Sequence, residues 1–371
     1  MTTMTAKDNL PFIDLKTQYQ KIKPKIQQRI DQVLEHGQYI LGPEHDQLEA
    51  ELAKYVGCKH AIAMSNGTDA LLVPLMALGI GPGDEVITSA FSFFASAEVI
   101  SFIGAKPVFV DIDPLTYTMD HKLLEAKITK KTKVIIPVSL YGQTADMDQI
   151  NAIAKSHGIH VMEDAAQSFG ATYKGKLSGN LSLVAGTSFF PAKPLGCYGD
   201  GGAIFTNDDK LASAMKEIRV HGQERRYYHT RLGINGRLDT LQCAILLEKL
   251  AIFPEEVKAR HGIAKKYDQL LNGKVKNISV MPERTCIYAQ YTIEVNDRET
   301  LAKKMQAEGI PTSVHYPLSI NKQPYYQDLK MDTESFPLSD KAASQVICLP
   351  MHPYLKDHEI ERVVNSVLKN I

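Results

Sequence analysis

No sign of charge is in excess in this chain. Lys plus Arg and Asp plus Glu each total 42, for a formal net charge of zero, so neither the basic footprint of a nucleic-acid binder nor the face of a protein held on acidic lipid is present. A local basic pocket for an anionic substrate stays compatible with that balance. Cysteine is scarce: Cys58, Cys197, Cys243, Cys286 and Cys348 are odd in number and scattered, and no two have CxxC spacing. That argues against a disulfide framework and against a zinc site. Long apolar runs are missing as well. Nothing approaches the roughly 20 residues needed to cross a bilayer, and the amino-terminal MTTMTAKDNLPFIDL lacks the apolar core of a signal peptide. The expectation is a cytoplasmic protein whose partners include no nucleic acid, no membrane and no metal.

What is present is ordinary for a globular protein, 44% hydrophobic and 23% charged residues in a chain of 371. That length exceeds what one hydrophobic core usually supports. Over the first 250 or so residues, short apolar runs alternate with amphipathic helical stretches. HAIAMS, DEVITS, PVFVDI, VIIPVSLYG, IHVMED, LVAGTSFF and GGAIFT read as strands, while TDALLVPLMALG (with Pro74) and ASAEVISFIG read as helices. The pattern predicts an α/β fold with a mainly parallel sheet covered on both faces, and in such sheets ligands gather at the carboxyl ends of the strands. Later the pattern changes. A helix over PEEVKARHGIAKKYDQLLNG, strands over NISVMP and CIYAQYTIEV, and helices over RETLAKKMQAEG and DHEIERVVNSVLKN predict a smaller α+β unit. The expected domains are 1–255 and 256–371.

Three segments carry chemistry. In SNGTDA (65–70), Gly67 allows a tight turn, and Thr68 and Asp69 supply cap or first-turn groups. The amides of such a helix start bind anions, although the segment by itself also fits an ordinary strand-to-helix turn. In VMEDAAQSFGA, Asp164 directly follows an apolar run, at the carboxyl end of a buried strand, where it faces the crevice or needs a partner. Alone, it fits a helix cap equally well. Glu163 alternates to the other face, and Gln167 follows three residues later. In GTSFFPAKPLGCYGDGGAIFT (186–206), Lys193 lies between Pro191 and Pro194, which stiffen the turn. A lone loop lysine is ordinarily a solvated charge, but here SFFPA precedes it and GDGG follows. Burial or a nearby cation would ease loss of its proton and make the amine a nucleophile. The glycines do not form a dinucleotide fingerprint, because an apolar run rather than a helix follows them.

Together with RLGINGRLDTLQ, these segments occur in one order and spacing, and the chain resembles the DegT/DnrJ/EryC1/StrS family of sugar aminotransferases from about FIDLKTQY to LPMHPYL. The resemblance implies a fold-type I pyridoxal phosphate enzyme with a seven-stranded sheet. It further implies that Lys193 joins the cofactor aldehyde, Asp164 pairs with the pyridine nitrogen, and Gln167 lies against the ring with Phe91 stacked on it. Gly67, Thr68 and Ser188 would hold the phosphate, and Asn235 would reach it from a partner subunit, making the active unit a homodimer. Relatives that dehydrate sugars carry histidine in place of this lysine, so transfer is favoured.

Within the family, HGQYILGPE, PVSLYGQTADMDQI, HGQERRYYHTRLGINGRLDTLQ and VHYPLSINKQP resemble enzymes that aminate C3 of UDP-2-acetamido-2-deoxy-3-oxo-glucuronate. Glutamate would be the donor, 2-oxoglutarate the by-product, and the amino sugar would feed bacterial surface polysaccharide such as lipopolysaccharide O-antigen. Arg237 is a candidate clamp for an anionic group, or equally a surface salt bridge. His315 and Tyr316 resemble a substrate-facing pair, though a satisfied histidine and a packed aromatic at a turn before Pro317 fit the same residues; His221, Arg225, Arg226 and His229 crowd one segment, expected to form a mobile basic loop over the nucleotide. A 4-keto or dTDP-linked sugar, or a non-catalytic regulator on the same fold, are the competing readings.

Overall fold

The computed structural model describes residues 9–329 and 334–371. The first eight residues of the segment inspected for a signal peptide lie outside them. Seven short strands form the main sheet: β1 (His60–Met64), β2 (Glu85–Ser89), β3 (Lys106–Val110), β4 (Thr132–Ile136), β5 (His160–Asp164), β6 (Val184–Ser188) and β7 (Gly202–Thr206). Their order is β1-β7-β6-β5-β4-β2-β3. The β2–β3, β2–β4, β4–β5 and β5–β6 pairs are parallel, and β7 runs antiparallel to both neighbours. This is the mainly parallel α/β sheet expected; five of the strands fall within predicted runs, while β3 begins at Lys106 and β4 at Thr132, ahead of theirs.

Both faces of the sheet are apolar because each strand contributes alternate residues to opposite sides. Ile62, Met64, Val134, Ile136, Met162 and Ile204 join one buried cluster with helices α3 (Gly67–Ala77) and α4 (Ala95–Phe102). Ala61, Ala63, Ala203 and Phe205 face the other way, against α2 (Pro43–Val56) and the first half of α7 (Thr240–Leu271). Pro74 sits inside α3, as the apolar pattern required.

Helix α7 corrects one expectation. It begins at Thr240 rather than near Pro254, and Pro254 lies in its interior. Proline is at home in the first turn of a helix, but burial of the preceding CAILLEKLAIF carries the helix through it. Residues up to Phe253 pack on the sheet, whereas Ile263, Ala264, Tyr267 and Leu271 join a second cluster with Tyr291, Ile347, Leu349 and Val363. That second cluster surrounds a three-stranded antiparallel sheet of β8 (Lys276–Asn277), β9 (Tyr291–Glu294) and β10 (Val346–Leu349). Helices α8 (Arg298–Ala307) and α9 (Asp357–Asn370) complete it. The predicted CIYAQYTIEV strand shrinks to β9, the predicted NISVMP strand shares only Asn277 with β8, and the edge strand β10 was not foreseen.

Candidate active site

At the carboxyl ends of β5 and β6 lies a cavity of about 560 Å³, lined by Gly67, Thr68, Asp164, Gln167, Ser188, Lys193, His315 and Tyr316, among others. One end is the start of α3. Asn66 caps the helix, its Oδ1 accepting from the Asp69 amide at 2.8 Å while its amide donates to the Asp69 carboxylate at 3.0 Å. The Gly67 and Thr68 amides, at the first two helical positions, therefore have no intrahelical acceptor. The helix start is pressed against the sheet: a Cβ on Gly67 would come within 2.6 Å of Ser188 Cβ, and one on Gly202 within 2.5 Å of the Asn66 carbonyl oxygen. Free amides, the positive helix end and the Ser188 hydroxyl thus converge on one small concavity, the donor set a phosphate requires.

Deeper in, Asp164 is only 4% exposed. Its carboxylate accepts from Ser96 Oγ at 2.8 Å and the Ala166 amide at 3.1 Å. Burial pushes its pKa up, against the lowering pull of those bonds and of Lys193. Glu163 points to the opposite side, as strand alternation predicts, and is held by Ser139, Ser178 and the Gly179 amide. Lys193 sits in the turn after β6, pinned by its own amide to the Phe190 carbonyl at 2.8 Å. Burial holds its ammonium below the usual lysine range, with Asp164 opposing. A lysine that sheds its proton readily and a carboxylate on the cavity wall are two of the groups that pyridoxal phosphate needs, and the amide-and-hydroxyl cradle is the third. The residues fit that cofactor.

The remaining wall comes from the second cluster and its loops. Gln167 Oε1 accepts from the Tyr141 amide at 3.0 Å, and its Nε2 donates to Tyr316 Oη at 3.0 Å. Burial lowers the His315 pKa, with Lys193 adding to the effect. Residues not singled out from sequence also line the space: Phe12, Phe93, Asp200, Gln290 and Ser313. Phe12 carried a hint in the FIDLKTQY motif, whereas Gln290 and Ser313 carried none.

Three predicted residues do not reach this cavity. Phe91 is 0% exposed, packed behind Tyr316 with ring centroids 6.5 Å apart, and the aromatic on the wall is Phe93, two residues on. The chain turns into α4 directly after β2, so the aromatic nearest the strand is swallowed by the core. Phe91 is therefore corrected as the stacking residue. Asn235 is exposed and Arg237 half-buried, on a loop tied to the helix-cap segment through the Ser65 amide and the Gly236 carbonyl at 2.8 Å. Arg237 Nε is buried without a hydrogen-bond partner. The basic segment forms an exposed hairpin, Gln223–Arg225 paired with Tyr228–His229, in which Arg225 covers the Tyr228 ring and Arg226 that of Tyr227. Among the described residues no group of three or more His, Cys, Asp or Glu could hold a metal, and no helix is long and apolar enough to cross a membrane.

Comparison with known proteins agrees with this geometry. A relative from Pseudomonas aeruginosa, a UDP-2-acetamido-2-deoxy-3-oxo-D-glucuronate aminotransferase, is 58% identical over 97% of this chain and 100% of its own. The S. venezuelae protein DesV, solved in complex with a ketimine intermediate, superposes with a TM-score of 0.95 at 38% identity, over 97% of this chain and 98% of its own. The ntda protein of Bacillus subtilis, solved with bound cofactor PMP, gives 0.89 at 31% identity over 99% and 86%. The model of the DegT/DnrJ/EryC1/StrS aminotransferase family matches residues 20–368, and the chain belongs to that family.

Proposed function

We propose that this protein is a pyridoxal phosphate-dependent aminotransferase that moves the amino group of glutamate onto C3 of UDP-2-acetamido-2-deoxy-3-oxo-glucuronate. The observation that carries the chemistry is the convergence of Lys193, Asp164 and the Gly67–Thr68–Ser188 cradle on one cavity. The full-length relative at 58% identity supports the substrate.

In this reading the Gly67 and Thr68 amides and Ser188 bind the cofactor phosphate, and Asp164 holds a proton on the ring nitrogen. When bound, pyridoxal phosphate supplies the electron sink that makes the carbon–hydrogen bond beside the amino group acidic. Lys193 Nζ, from which burial eases loss of the proton, would anchor the cofactor and, once released, would move the proton held at the glutamate α-carbon. The same nitrogen runs the transfer in reverse on the sugar carbon. The balance is glutamate plus keto-sugar to 2-oxoglutarate plus amino-sugar, a product suited to bacterial surface polysaccharide such as O-antigen.

A homodimer in the cytoplasm completes the proposal. Asn235 does not line the cavity of its own chain, so a phosphate contact from it requires a second copy. Exposed apolar groups occur on the same segment and on the one paired with its end: Tyr227 is 79% and Leu232 88% exposed, and Tyr39, Ile40 and Leu41 are exposed beside Asp239 and Thr240. Arg237 and the Arg225–Arg226 hairpin then face the partner's substrate as cationic contacts for its anionic groups. The change of apolar cluster along α7 supports a division into a larger unit, 1–255, and a smaller one, 256–371.

A panel of keto-sugar nucleotides with glutamate tests the substrate. The UDP-linked 3-keto uronate should exceed 4-keto and dTDP-linked sugars in kcat/KM by about tenfold or more, the scale on which a polar site rejects a misfit. Equal or better turnover of another sugar would overturn it.

A further inference from the structure

Two buried carboxylates stand side by side at the end of β5, and they are satisfied to different degrees. Glu163 is 0% exposed and takes three donors: Ser139 Oγ at 2.9 Å and Ser178 Oγ at 2.7 Å on one oxygen, the Gly179 amide at 2.9 Å on the other. Asp164, on the cavity wall, takes two among the described residues. The Ala166 amide reaches Oδ1 at 3.1 Å, and Ser96 Oγ reaches Oδ2 at 2.8 Å. A carboxylate offers about four lone-pair positions. The one that faces the cavity therefore keeps room for a donor that a ligand brings.

Ser96 is fully buried and is the second residue of α4. Ser92, 3% exposed and part of the cavity lining, lies just before that helix, and the two Oγ atoms are 3.2 Å apart. The four-residue spacing brings both hydroxyls to one side of the chain as it winds into the helix. A carboxylate only accepts, so the Ser96 proton is committed to Asp164, and the proton between the two serines is then the one from Ser92. The Ala166 amide comes from the chain directly after β5 and the Ser96 hydroxyl from α4, so two separate elements fix the plane of the carboxylate.

An anion in that place depends on such donors. Burial pushes the Asp164 pKa up, and Lys193 pulls the other way only while its ammonium is charged. In the reaction proposed above, Lys193 is the group that gives up its proton, which leaves Ser96 and the Ala166 amide as the constant support.

We propose that Ser96, backed by Ser92, is the positioning residue for Asp164, keeping its carboxylate anionic and turned to the cavity so that the cofactor's ring nitrogen retains its proton. Without the Ser96 bond that proton passes from the nitrogen to the carboxylate, because burial favours the neutral acid. No other atom moves. A ring nitrogen without its proton is a weaker electron sink. The inference rests on the aminotransferase reading and adds to it a residue that does not itself line the cavity.

The test is the ring-nitrogen signal of ¹⁵N-labelled pyridoxal phosphate bound to the protein with no substrate present. Expected are the protonated position in the wild type, a shift toward the unprotonated position in Ser96→Ala, and a smaller shift the same way in Ser92→Ala. Ser96→Thr keeps the hydroxyl and should keep the wild-type position, while Asp164→Asn marks the unprotonated end of the scale. In Ser96→Ala both half-reactions should slow alike, by about tenfold to a hundredfold, the worth of a hydrogen bond to a charged group, with each KM within about twofold. An unmoved signal in Ser96→Ala, an unprotonated nitrogen in the wild type, or a raised KM with both half-reaction rates intact would overturn the proposal. Wild-type protein that takes up no pyridoxal phosphate would sink it together with the aminotransferase reading, whereas an unmoved signal on bound cofactor sinks it alone.

Discussion

The two walls of the cavity are built in opposite ways. The wall at the sheet is made of strand ends and a helix start in contact so close that a single methyl group will not fit, and its residues Gly67, Asp164 and Ser188, far apart along the chain, come together only once the sheet has formed. The opposite wall, which carries Gln290, Ser313, His315 and Tyr316, is made of loops, and the Arg225–Arg226 hairpin is an exposed ribbon. Rigid backbone on the first side suits a group that stays through every turnover, and side chains on loops suit substrates that come and go.

That contrast can be broken most severely at Lys193. Lys193→Ala should lower turnover by several orders of magnitude, on the order of the loss seen when a covalent and acid–base group is removed together, while pyridoxamine phosphate still binds. Single-turnover rates and a cofactor absorbance titration read both, and near-normal turnover would remove Lys193 from the mechanism. Gly67→Ala probes the close contact itself. Forcing a Cβ to within 2.6 Å of Ser188 should cost about 1–3 kcal/mol in overpacking, read as a lower Tm and a cofactor Kd raised about tenfold or more. An unchanged Kd would show that the helix start does not hold the phosphate. The mildest effect belongs to the ribbon: Arg225→Ala with Arg226→Ala should raise KM for the nucleotide sugar several-fold, about 1 kcal/mol for exposed charge contacts, and leave Tm and the glutamate half-reaction in place. Unaltered KM would leave the hairpin without a part in nucleotide binding.

The sheet wall was also the legible one. An apolar run ending in Asp164, and another with Ser188 near its end, mark strand ends, and the parity of a strand separates Asp164 from Glu163 without coordinates. The loop wall was legible only in part. AFSFFAS offers three aromatic rings in four residues, and nothing local tells that Phe91 is swallowed and Phe93 shown to the cavity, because that depends on where the chain turns into α4. Gln290 and Ser313 lie in stretches without a motif and share the cavity with residues, such as Gly67 and Asp164, more than a hundred positions away. Pro254 misled for the opposite reason: its local preference for a helix start was real and was overridden by burial of the residues before it.

Helix α7 spans 32 residues, roughly 48 Å at the usual rise, and gives its first half to one apolar cluster and its second half to the other. Neither cluster can melt and leave the other intact without exposing half of that shared rod. Heat or denaturant should therefore take the whole chain apart in a single concerted transition, even though its length alone would allow two.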